Sequence, residues 1–110
     1  MSEPATHEFE LHIGADHPAL PGHFPGRPIV PGVVLLDRIL LGAERWLARS
    51  LRVSSLQQAK FTRPLLPEQT AKALLSLRGD ELKFEIVREE ARLAQGIFKL
   101  GPAHNAGSSE

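Results

Sequence analysis

Residues 33–49 read VVLLDRILLGAERWLAR, a run with no proline and a single glycine. Val33, Leu36, Leu40, Ala43 and Leu47 recur at helical spacing, which predicts an α-helix from Val33 to about Arg49. Val34, Leu35, Ile39, Leu41 and Trp46 carry the apolar surface almost round the cylinder, and Arg38, Arg45 and Arg49 remain as a narrow polar stripe. A helix this apolar must be wrapped by other structure.

What surrounds it reads as strand. From His7 to Ile13 the pattern alternates, with Phe9, Leu11 and Ile13 on one face and Glu8, Glu10 and His12 on the other, as in a half-buried strand. After Ser50 the period is again two, in four segments: Ser55 to Phe61, Thr70 to Arg78, Leu82 to Arg88 and Leu93 to Leu100. Short polar turns, Gly79 with Asp80 and Glu89 with Glu90, join the last three as a meander. One strand, one apolar helix and four strands predict an α+β chain in which an antiparallel sheet curls around a central helix, the hot-dog arrangement. So small a sheet leaves an open edge and an apolar patch, which favours a second copy as partner.

Between Gly14 and Gly32 lie five prolines and four glycines, too many for a helix or an inner strand. Leu20, Phe24, Ile29 and Val30 would be left in water by a floppy linker, so an ordered, partly buried loop is expected. Residues 101–110 are polar and small, as in a disordered tail, which leaves residues 1–100 as one domain.

Composition narrows the partners. At 110 residues and 42% apolar content the chain suits one compact core. Thirteen basic residues balance thirteen acidic ones, so no net field gathers nucleic acid or an anionic membrane. The lack of cysteine excludes disulfides, thiolate nucleophiles and cysteine-ligated metals. With neither a leader pattern at Met1–Thr6 nor an apolar run of membrane-spanning length, a cytoplasmic location is the expectation.

Chemistry concentrates in residues 17–37, HPALPGHFPGRPIVPGVVLLD. His23 sits between Gly22 and Phe24-Pro25-Gly26, where restricted backbone angles can hold an imidazole beside an apolar group. A histidine titrating near neutrality suits a general base; it equally suits a loop residue bonded to a nearby carbonyl. His17 competes with it on equal terms. Asp37 is the one acidic residue between Asp16 and Glu44. At about 100° per residue it falls on the flank of the stripe through Leu36, Leu40 and Ala43, so it is expected to border the core and to resist ionisation there. The competing reading is a solvated or arginine-paired helix residue. Pro31 and Gly32 mark the helix start, where unpaired N–H groups and the helix dipole can polarise a carbonyl and hold an enolate oxygen.

The stretch His23-Phe24-Pro25-Gly26-Arg27-Pro28-Ile29-Val30-Pro31-Gly32-Val33-Val34-Leu35-Leu36-Asp37 resembles the active-site signature of the beta-hydroxyacyl-acyl carrier protein dehydratases. Lys60-Phe61-Thr62-Arg63-Pro64-Leu65-Leu66-Pro67 is similar, more weakly, to that family's strand and turn after the helix. The resemblance selects His23 over His17. It implies a hot-dog homodimer, or a higher homo-oligomer, in which His23 and Asp37 come from different subunits. His23 would take the α-proton of a (3R)-3-hydroxyacyl thioester and Asp37 would protonate the departing hydroxyl, giving a trans-2-enoyl thioester. The Gly32 amide would hold the carbonyl, and Phe24, Val33 and Leu36 would line the acyl tunnel. No metal or other cofactor is implied. Acyl carrier proteins are acidic, so Arg27, Lys60 and Arg63 are the candidate carrier contacts. Three positions depart from the pattern of many relatives: Asp37 stands where glutamate is common, although the branch that also isomerises the enoyl product carries aspartate, Arg38 where a small residue is usual, and Leu41 where glutamine is. Two other readings use the same fold, a thioesterase whose helix carboxylate activates water and a non-catalytic subunit that binds acyl chains.

Overall fold

The computed structural model of the chain describes residues 4–14 and 29–101. Within them the order is β1 (Ala5–His12), α1 (Gly32–Leu47), β2 (Val53–Phe61), β3 (Thr70–Arg78), β4 (Glu81–Arg88) and β5 (Ala91–Leu100). Every predicted element is present, β3 with the expected bounds and the others shifted by one or two residues at one or both ends. Most of the proline-rich loop and all but the first residue of the tail lie outside the described residues.

The strands form one antiparallel sheet in the order β1-β3-β4-β5-β2. β3, β4 and β5 make the meander, while β1 and β2, on either side of α1 in the chain, become the two edges. Alternation decides which face is filled. Ala71, Ala73 and Leu75 of β3, Leu82, Phe84 and Ile86 of β4, and Phe98 of β5 are all buried, and they form one cluster with Leu35, Ile39 and Ala43 of α1. Phe84 and Phe98 anchor it, their ring centroids 5.3 Å apart and tilted by 34°. This is the hot-dog arrangement, a curled sheet holding one helix.

The turns follow their residues. Gly79 takes φ +60° between β3 and β4. Between β4 and β5, Glu89 and Glu90 take φ 52° and 67° without being glycine, which for side chains with a Cβ is a strained choice. α1 ends on Ala48 in the left-handed region, and Glu44 Oε2 accepts from the backbone N–H of Leu51 at 2.8 Å, tying the helix exit to the next segment.

The helix is turned differently from the sequence expectation. Its buried residues are Val34, Leu35, Ile39 and Ala43, while Leu36 and Leu40 pack at the margin. Val33 is 72% exposed and Leu41 41% exposed, with Asp37, also exposed, one turn from each. α1 is therefore covered by its own sheet on one side only. β2 is likewise uncovered: Leu56 and Phe61 are 39% and 46% exposed on a strand whose outer edge has no partner among the described residues. Between Gln57 and Lys60 it carries one residue more than β5 across from it, with Gln58 at φ 55°, so a bulge bends this edge.

Candidate active site at the start of the helix

The segment entering α1 is fixed by a pairing that joins two distant stretches of the chain. The Val30 N–H donates to the Leu65 carbonyl at 2.8 Å, and both residues are buried. Leu65 follows a second anchor. The Thr62 N–H donates to the Leu93 carbonyl at 2.8 Å, its hydroxyl to the Arg92 carbonyl at 3.0 Å, and the Arg63 N–H to the Leu93 carbonyl at 3.2 Å. These bonds hold residues 61–65 beside the helix start. The Phe61 ring consequently lies over Gly32, where a Cβ would stand 3.2 Å from Phe61 Cζ.

Pro31 caps the helix without a side-chain hydrogen bond, and its carbonyl accepts from the N–H groups of Val34 and Leu35 at 3.0 and 3.3 Å. The N–H groups of Gly32 and Val33 precede the first intrahelical bond and have no partner among the described residues. No acidic residue occupies the first turn, so nothing there offsets the positive end of the helix dipole. In front lies a cavity of about 430 Å³ whose walls include Ile29, Val30, Leu35, Phe61, Arg63 and Leu65. An apolar chamber lined at one end by Gly32, whose N–H has no partner among the described residues, suits a fatty acyl thioester: carbon chain on the apolar walls, carbonyl oxygen on that N–H.

The sequence-predicted residues fall into three groups. Gly32 and Arg63 both line this cavity. His23, Phe24 and Arg27, and the rejected His17, lie outside the described residues. Asp37, Val33, Leu36 and Lys60 are described and are not among the cavity's lining. The expectation that Asp37 borders the core is corrected: the stripe that meets the sheet runs through Leu35, Ile39 and Ala43, roughly half a turn away from Asp37. Val33 as an acyl contact is likewise unmet within one chain, since it faces outward; Lys60 stands exposed on β2, one residue before Phe61. Sequence reasoning missed Phe61, Leu35 and Leu65 as walls of the chamber. The signal for Phe61 and Leu65 is their place in the Lys60–Pro67 segment, whose resemblance to the family's strand and turn carries no assignment of chamber walls. Among the described residues no group of histidine, aspartate and glutamate side chains could hold a metal ion, and no helix is long and apolar enough to cross a membrane.

A match to the ApeI-like family, described as ApeI dehydratase, spans residues 1–97. The chain belongs to the ApeI-like dehydratase family. The dehydratase heterocomplex ApeI:P from Xenorhabdus doucetiae superposes with a TM-score of 0.78 at 28% identity, covering 86% of each chain. A protein of unknown function from Erwinia carotovora subsp. atroseptica superposes with a TM-score of 0.76 at 29% identity, covering 93% of this chain and 87% of that one. Among curated relatives, the 3-hydroxyacyl-acyl-carrier-protein dehydratase FabZ of Desulforamulus reducens is 30% identical over 104 residues, which are 82% of this chain and 73% of that protein. FabZ of Herpetosiphon aurantiacus is 27% identical over 74% of this chain, and the match spans 61% of its length. The ApeI-like chain thus aligns with about half to three-quarters of the length of these FabZ relatives. An acyl-CoA hydrolase of Staphylococcus aureus, 11% identical with a TM-score of 0.62, shares the fold alone.

Proposed function

We propose that this ApeI-like chain is a 3-hydroxyacyl thioester dehydratase that takes its substrate from an acyl carrier protein and works as a homodimer in the cytoplasm. The observation that carries this reading is Gly32, whose N–H has no partner among the described residues and which lines an apolar chamber.

The reaction then follows from elementary steps. The Gly32 N–H takes the thioester oxygen, which acidifies the proton on C2. Neutral His23 accepts that proton, and the electron pair left behind spreads into an enolate whose oxygen remains on the amide. As C2=C3 forms, the C3–O bond breaks and protonated Asp37 supplies the proton that lets the hydroxyl leave as water. Return of the proton from His23 to Asp37 through solvent resets the site. No metal or redox group takes part in these steps.

The homodimer is supported by what one chain leaves uncovered. Val33, Asp37 and Leu41 form an exposed helix face, and β2, with Leu56 and Phe61, presents an edge that has no partner among the described residues. A second copy laid across both would bury Asp37 and bring it to the other protomer's chamber. It would also give Val33 the acyl contact it lacks within one chain.

The test is incubation with a 3-hydroxyacyl thioester on a carrier protein, followed by mass spectrometry for loss of water. The expected result is an enoyl product with the wild type and none with His23→Ala or Asp37→Asn. Wild-type rates in both variants would overturn the residue assignment, and release of free thiol without enoyl product would point to a thioesterase.

A further inference from the structure

Between β1 and α1 lies a cavity of about 450 Å³ that shares no lining residue with the acyl chamber. Its floor is apolar. Leu11 is buried, Phe9 is partly buried, and the Phe9 ring fills the space that a Cβ at Gly42 would take. Leu41 continues the apolar surface on the helix side. Over this floor stand two arginines, Arg38 and Arg45, two turns apart on α1 and so separated by roughly 10 Å along its axis. Neither forms an ion pair among the described residues, and Arg38 Nη1 has only the His12 carbonyl, at 3.4 Å. Glu10 is the one carboxylate in the lining and reaches neither of them. Two guanidinium groups without acid partners, set beside apolar side chains, hold unused charge-assisted donors at the edge of a greasy cleft.

We propose that this cleft binds the anion of a free fatty acid, with the carboxylate on Arg38 and Arg45 and the alkyl chain over Phe9, Leu11 and Leu41. Charge selects the head group. With His7 neutral, two arginines and one glutamate give the lining a net charge of +1, which a carboxylate neutralises and a phosphate monoester, at about −1.5 to −2, overfills. Shape selects the tail: His7, Phe9 and Leu11 share one face of β1 and span about 13 Å along it, a path for an extended alkyl chain. The site goes beyond the dehydratase reading and uses neither the chamber nor the Gly32 amide. It gives a role to Arg38, one of the positions that departs from the pattern of the dehydratases. Leu41 also borders the helix face proposed to meet a second copy, so the assembled protein is the material to test.

The chain carries its own reporter. Trp46, its one tryptophan, stacks on the cleft residue His7 with ring centroids 5.2 Å apart and an interplanar angle of 9°. Trp46 fluorescence is followed while the protein is titrated with decanoate and with decanol, which share an alkyl chain and differ in charge. Both should give a saturable change, with decanoate bound roughly tenfold more tightly. Arg38→Gln and Arg45→Gln combined in one chain should bring the two affinities together, and Glu10→Gln should widen the gap. Each ratio is measured within one protein preparation, so a general loss of fold does not imitate the result. Equal affinity of the wild type for both probes, or an unchanged ratio in the double variant, overturns the site. Decyl phosphate bound more tightly than decanoate overturns the choice of a carboxylate. Decanoate that slows dehydration while leaving Trp46 unchanged occupies the acyl chamber and likewise overturns the proposal. A chain that dehydrates nothing yet keeps the preference for decanoate removes the enzyme assignment and leaves the fatty acid site standing.

Discussion

Phe61 lies against Gly32 so closely that a methyl group at Gly32 would stand 3.2 and 3.3 Å from its ring carbons Cζ and Cε1. The residue that presents the N–H donor and the residue that walls the chamber therefore share one position in space. Gly32→Ala should cost little stability, because Phe61 is half exposed and alanine favours a helix. It should nevertheless lower dehydration about 10- to 100-fold, because the displaced ring narrows the approach of the thioester oxygen to the amide. Adding Phe61→Leu should recover part of that loss. Single-turnover rates of both variants, with melting curves to compare their stability, decide the point.

Leu56 is exposed on β2, whose outer edge has no partner among the described residues, next to the bulge at Gln58. If two copies pair there, Leu56→Glu places like charges near a two-fold axis and should raise the dimer dissociation constant at least about tenfold. Analytical ultracentrifugation over a dilution series measures this, and activity should fall along with the dimer. A variant that sediments as the wild type does would count against β2 as the interface.

Gly96 stands across from Phe84, and a Cβ there would lie 2.7 Å from Phe84 Cζ and 3.3 Å from the Ala59 backbone. Phe84 is only 1% exposed and has no room to retreat. Gly96→Ala should therefore cost about 1–3 kcal/mol in urea unfolding. Phe84→Leu in the same chain should make that increment smaller, since the two residues are in contact.

The turn between β4 and β5 carries Glu89 and Glu90 at positive φ. Glu90→Gly removes the Cβ penalty at φ 67°, partly offset by the greater freedom of glycine in the unfolded chain, and should stabilise by about 0.5–1 kcal/mol. Thermal unfolding reads it directly. No gain would show that neighbouring bonds already relieve the strain.

The elements and their order were legible in the sequence because they depend on short-range periodicity. The alternation from Phe9 to Ile13 and the proline-free apolar run from Val33 onward identify β1 and α1 wherever they are placed. The motif from His23 to Asp37 named the proposed chemistry, and five of its residues, Ile29, Val30, Pro31, Gly32 and Leu35, line the apolar chamber. Which side of α1 faces inward was not legible, because almost every side of it is apolar. Only contact with the sheet selected Leu35, Ile39 and Ala43 and left Asp37 outside. The seating of Phe61 over Gly32 and the place of Arg63 in the chamber wall likewise belong to the tertiary structure. They arise from bonds such as Val30 to Leu65, whose partners are 35 residues apart and leave no trace in local pattern.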